Sequence, residues 1–126
     1  MAQEANTSRD PLTERIIRCA FTVSNTLGCG FLEKVYENAL AYELRKNAFL
    51  VRQQEPILIR YDGVVVGDYI ADLIVDRTVL LELKAVKDFD DIHMAQCMNY
   101  LKATGLKLCL LMNFGKPKVD IKRIVY

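Results

Sequence analysis

Two full charges, Glu82 and Lys84, stand inside the otherwise apolar stretch TVLLELKAV, residues 78–86. Burying either without a partner or a task is costly. As a strand, the stretch turns Leu81, Leu83 and Ala85 to one face and Leu80, Glu82, Lys84 and Val86 to the other. Glu82 and Lys84 are then neighbours, and Leu80 and Val86 beside them argue against a fully solvated ion pair. A third charge depends on the turn before the strand. A three-residue loop of Asp76, Arg77 and Thr78 pairs Val75 with Val79 and sets Asp72 across from Glu82, whereas a two-residue loop sends Asp72 to the opposite face. Two carboxylates a few ångströms apart repel unless a cation lies between them. Mg²⁺ is content with one or two carboxylates and retained water, and an adjacent lysine offsets charge on a phosphoryl group or holds an attacking water. Acid, acid and lysine on adjoining strands make chemical sense as a phosphodiester-cleaving site.

The elements that must position these groups are legible in the periodicity. Asp10 and Pro11 give an N-cap and first helical position, followed by Leu12, Ile16, Ala20 and Val23 at helical spacing. After Gly28 and Gly30 a second helix is expected over about 31–47, with Leu32, Val35, Tyr36, Ala39 and Leu40 as its apolar stripe. From residue 50 the period falls to two, giving three antiparallel strands with turns at Asp62-Gly63 and Asp76-Arg77. Pro56 points its strand to an edge, and the nearly continuous apolar character of 78–86 makes that strand central. DFDDIHMAQCMNYLKATG predicts a third helix ending at Gly105, long enough to cross the sheet and deliver the next strand to a non-adjacent place. LKLCLLMNF and VDIKRIVY supply two more strands. The expectation is an α/β domain over 11–126 of order ααβββαββ, a mixed sheet flanked by helices, behind a loose tail at 1–10.

On the third helix His93, Gln96 and Tyr100 cluster on one side, with Met94, Cys97, Met98 and Leu101 as an opposed packing stripe. His93 reads as a surface or capping side chain, Tyr36 as a core aromatic and Glu37 as a solvated charge. Glu33, in a first helical turn, is explained by the helix dipole alone. Gln54 and Glu55, before Pro56, are weaker candidates for the same cleft.

The chain has 126 residues, 52% hydrophobic and 26% charged, with a formal net charge of +1. That is one folded domain without global attraction to nucleic acid. Lys102, Lys107, Lys116, Lys118, Lys122 and Arg123 do gather toward the C-terminus, facing only Asp120. No signal pattern opens the sequence and no apolar run approaches the roughly 18 residues of a membrane span, so the cytoplasm is the default address. Cys19, Cys29, Cys97 and Cys109 lack CxxC spacing and read as reduced core or near-core thiols.

With Ala71-Asp72 followed by Glu82-Leu83-Lys84, the chain resembles the PD-(D/E)XK nucleases, Ala71 replacing the signature's proline. GFLEKVY, residues 30–36, carries the GxxExxY motif of a small bacterial and archaeal family within that superfamily, and HMAQCMNYLKATGLK with LMNFG resembles the same family's C-terminal half. The resemblance covers roughly 12–126 and implies a restriction-endonuclease-like fold. It also implies Asp72 and Glu82 as ligands of Mg²⁺ or Mn²⁺, joined by the Leu83 carbonyl, with Lys84 catalytic and Glu33 completing the acidic cluster. Gln96 and Tyr100 resemble the QxxxY element that such nucleases place beside the metal, where the amide orients the lysine or a water. The expected function is a metal-dependent nuclease acting on DNA, with a homodimer reasonable for a duplex cutter. The alternative is a catalytically silent nuclease-fold module that binds or assembles with a partner protein.

Overall fold

The computed structural model describes residues 3–4 and 10–126. Its elements are β1 (Gln3–Glu4), α1 (Pro11–Leu27), α2 (Glu33–Lys46), β2 (Val51–Tyr61), β3 (Val64–Val75), β4 (Val79–Lys84), α3 (Asp91–Thr104), β5 (Leu108–Asn113) and β6 (Asp120–Val125). From Pro11 onward this is the expected ααβββαββ order. The tail expected at 1–10 falls mostly outside the described residues, although Gln3–Glu4 pairs with β6 and Asp10 caps α1 by accepting the Thr13 N–H.

The strands form one mixed sheet in the order β1-β6-β5-β4-β3-β2. β2 is an edge strand, as Pro56 required, and β4 is interior. β4 and β5 run parallel and the other neighbours antiparallel. One expectation is corrected here: β5 is not sent to a distant place but lies directly beside β4, Leu81 against Leu110. A single crossover helix naturally delivers its strand to the adjacent slot, where both strands bury the same helix face.

Helices cover both faces. On one, Ile16, Ala20 and Val23 of α1 and Tyr36, Leu40 and Leu44 of α2 pack on Leu73, Leu81, Leu83 and Leu110. On the other, Cys97, Tyr100 and Leu101 of α3 pack on Ile74, Leu80, Cys109 and Leu111. The α2 stripe is rotated from the expected one. Leu32 is the N-cap, 80% exposed, and Val35 is also exposed; Tyr36, Glu37, Leu40, Ala41 and Leu44 are buried instead. On α3, Tyr100 sits inside the packed cluster beside Cys97, while Met98 belongs to neither core cluster, so the two sides are not opposed as expected. All four cysteines are free; Cys19, Cys97 and Cys109 are buried, but Cys29 is exposed in the loop before α2.

That loop explains two residues of GFLEKVY. Gly30 has φ +115°, a conformation that only glycine adopts freely. The Tyr36 hydroxyl donates to the Gly28 carbonyl at 2.6 Å and accepts from the Phe31 N–H at 3.2 Å, while its ring stacks on Phe114 at 5.0 Å. Gly30 and Tyr36 therefore fix where α2 starts, and with it where Glu33 stands.

Candidate active site

The connection between β3 and β4 is the three-residue loop: Val75 pairs with Val79, Ile74 with Leu80 and Leu73 with Leu81. The ladder then ends and the two strands part. Asp72 and Glu82 occupy the fork, each binding the opposite strand. The Asp72 N–H donates to Glu82 Oε1 at 3.1 Å, and the Leu83 N–H donates to Asp72 Oδ2 at 2.8 Å. Both strands are irregular here. Val51 and Ile57, of equal parity on β2, pack on opposite faces of the sheet, as do Leu73 and Ala71 on β3. The reversal falls at Gln54, whose φ is +56° and which lies between the rungs Gln53–Leu73 and Glu55–Ala71. Asp72 sits at the same level, which is how it comes to face β4.

Glu82 is 3% exposed and Asp72 half-buried. No ion pair within 4.0 Å reaches either carboxylate among the described residues. Burial pushes the Glu82 carboxyl up to about 8, helped by the Asp72 charge, and burial pushes Asp72 up to about 6 against the opposing Leu83 hydrogen bond. The two share a site that disfavours double ionisation, and their titration belongs to the pair. The remaining oxygens, Asp72 Oδ1 and Glu82 Oε2, accept no hydrogen bond from a described residue. Because no fully buried side-chain oxygen lacks a partner, both open to solvent.

Lys84, two residues beyond Glu82 on the same face, lowers the pKa of both carboxylates by its charge. It is not salt-bridged to them. Its Nζ donates to Gln96 Oε1 at 3.3 Å, and Gln96 Nε2 donates to the Tyr100 hydroxyl at 2.9 Å. Burial, and then the Glu82 charge, push that phenol up to about 12, so Tyr100 stays protonated. Gln96 and Tyr100, one helical turn apart, thus anchor the lysine from α3.

Among the described residues, no three His, Cys, Asp or Glu side chains are grouped closely enough to hold a metal by themselves. Glu33 is exposed, and its charge raises the pKa of Asp72 and Glu82 from a distance. Glu55 is elsewhere: it meets Arg52 at 3.6 Å and lines a separate hollow of ≈ 460 Å³ with Ile57 and Ala103. His93 is a capping residue, its Nδ1 accepting the Asp90 N–H at 3.0 Å. At the basic C-terminal end, Lys116 pairs with Asp88 and Asp120.

Glu37 corrects the reading of a solvated charge. It is 5% exposed and accepts from Gln54 Nε2 at 2.7 Å, Gln53 Nε2 at 2.7 Å and Lys34 Nζ at 3.0 Å. Its charge acts on Asp72 more strongly than that of Glu33. The signal was present: Leu40, Ala41 and Leu44, extended back one turn, reach Glu37. Asn113 was also missed. This fully buried amide accepts from the Val86 and Gly115 N–H groups and donates to the Val86 carbonyl, fastening the chain just past Lys84 to the end of β5.

Two carboxylates with outward-facing free oxygens, no ion pair among the described residues and a lysine alongside fit a hard divalent ion with retained waters. A family model of the PD-(D/E)XK nuclease superfamily matches residues 10–124. The chain belongs to that superfamily, whose nucleases generally use divalent metals. No curated protein and no solved structure matches the chain. None of its described helices is long and apolar enough to cross a membrane.

Proposed function

We propose that this protein is a divalent-metal-dependent nuclease of the GxxExxY family that hydrolyses DNA phosphodiester bonds. The observation that carries the reading is the fork between β3 and β4, where buried Glu82 and half-buried Asp72 stand side by side with raised pKa values and, among the described residues, no ion pair to either. Such a pair is unfavourable in the metal-free protein and becomes favourable when a cation sits between its free oxygens. Asp72 and Glu82, with the Leu83 carbonyl, would hold Mg²⁺ or Mn²⁺, which on binding supplies a polarised water and neutralises charge on the phosphoryl oxygens. Lys84, kept out of a salt bridge by Gln96, leaves its ammonium free to face the scissile phosphate and the attacking water. Tyr100 holds Gln96, and Gln96 holds the lysine. Glu33 completes the acidic rim, and Glu37 with Gln54 supports the Asp72 side.

The test is incubation of purified protein with supercoiled plasmid and Mg²⁺ or Mn²⁺, beside Glu82→Ala and Lys84→Ala. Metal-dependent nicking lost in both variants is expected. Cleavage that survives both substitutions contradicts the assignment, and metal binding without cleavage by the unaltered protein supports a silent nuclease-fold module.

A further inference from the structure

β3 has twelve residues, but β4 pairs only with Leu73, Ile74 and Val75. Beyond the fork, β2 and β3 run on as a two-stranded ribbon to the Asp62-Gly63 turn, and no described strand pairs with the outer edge of residues 64–71. The ribbon is apolar on the outside. Leu58, Tyr61, Val64, Val65, Val66, Tyr69 and Ile70 are all exposed, Tyr61 by 75% and Val66 by 60%. They are divided between the two faces of the ribbon, because successive strand residues alternate, and Tyr69 is turned toward α3, its ring 5.6 Å from that of Tyr100.

The two edges of the ribbon differ. The β2 edge carries Pro56, Arg52, Glu55 and Arg60, the proline and charges that keep a strand edge from pairing. Over residues 64–71 the β3 edge has one charge, Asp68, and no proline. Its one irregularity is a register shift opposite Ile59 and Arg60, which leaves Val66 as the extra residue and residues 67–71 as an uninterrupted edge. A polyanion is a poor occupant, because Arg60 is the only cation between residues 57 and 70, against Asp62 and Asp68. A second copy of this chain fits. It brings an identical free edge and an identical apolar surface, and antiparallel pairing about a two-fold axis satisfies both at once.

We propose that the distal β2–β3 ribbon is a homodimer interface, formed by antiparallel association of the free β3 edges, with Val66, at the register shift, packed against the second copy. This does not depend on the nuclease reading. The test is sedimentation velocity on the full chain from 1 to 100 µM, beside Val66→Lys and Tyr42→Lys, the second an exposed apolar position on α2. Circular dichroism melting establishes that each variant is folded. The unaltered protein and Tyr42→Lys are expected as dimers, with Val66→Lys dissociating at least about 100-fold more readily, because each copy would bury an unpaired ammonium. A monomeric unaltered protein at 100 µM overturns the proposal, as does a folded Val66→Lys that dimerises equally well. Loss of the dimer in Tyr42→Lys with retention in Val66→Lys would place the interface on α2 instead.

Discussion

Replacing Glu82 by glutamine should stabilise the metal-free protein while abolishing its response to metal. In the fold, burial and the Asp72 charge lift Glu82 from its ordinary 4.5 to about 8. An acid whose folded pKa lies above its unfolded value binds protons on folding. Its penalty is absent below the unfolded pKa, grows as pH rises from about 4.5 and is complete above 8. At about 1.4 kcal/mol per pH unit the ceiling is on the order of 5 kcal/mol, and water at the open side of the fork reduces the realised figure to about 1–2 kcal/mol. Glutamine keeps the Oε1 that accepts the Asp72 N–H and removes the charge. In EDTA at pH 8, Glu82→Gln should melt about 5 °C or more above the unaltered protein, with the gap closing toward pH 5. Adding Mn²⁺ should raise the melting temperature of the unaltered protein by linkage and leave the variant unmoved. A Glu82→Gln protein less stable than its parent in EDTA at pH 8 would refute the reasoning, because the carboxylate would then be stabilising the fold.

Lys84→Met should lower plasmid cleavage at least about 100-fold while keeping the Mn²⁺-induced rise in melting temperature, since the ammonium serves the reaction and not the ion. Gln96→Leu, which frees both Lys84 Nζ and the Tyr100 hydroxyl from their shared partner, should lower cleavage about 10-fold with metal binding intact, as measured by initial nicking rates. Asn113→Ala should cost about 2–4 kcal/mol in urea unfolding by stranding the Val86 N–H, the Val86 carbonyl and the Gly115 N–H. Gly115→Ala should be destabilising as well, because an added Cβ would collide with the Ala85–Val86 backbone.

Much of the candidate site's geometry was legible in the sequence because β3 and β4 alternate regularly between their turn and the fork. With period two, the residue count between Val75 and Val79 decides which side chains share a face, and the three-residue loop brought Asp72 to Glu82. The i, i+4 relation on α3 likewise placed Gln96 beside Tyr100, and Lys84 then found the amide. What the sequence hid are departures from regular periods. Gln54 at φ +56° reverses the faces of β2, and nothing in QQEP announces it. Glu37 is buried because two glutamines from the neighbouring strand satisfy it, a tertiary fact that hydropathy misreads as exposure. The α2 stripe was set a turn early because Leu32 and Val35 look like core, while the Gly30 turn and the Tyr36 clamp start the helix only at Glu33. The placement of β5 depended on topology, which helix length leaves open.

The most direct measurement is an anomalous-difference map from crystals grown or soaked with Mn²⁺. A peak is expected between Asp72 Oδ1 and Glu82 Oε2, within coordination distance of both and adjoining the Leu83 carbonyl. A fork free of anomalous density under Mn²⁺ concentrations that shift the melting temperature, with the ion bound elsewhere on the protein, would contradict the metal assignment.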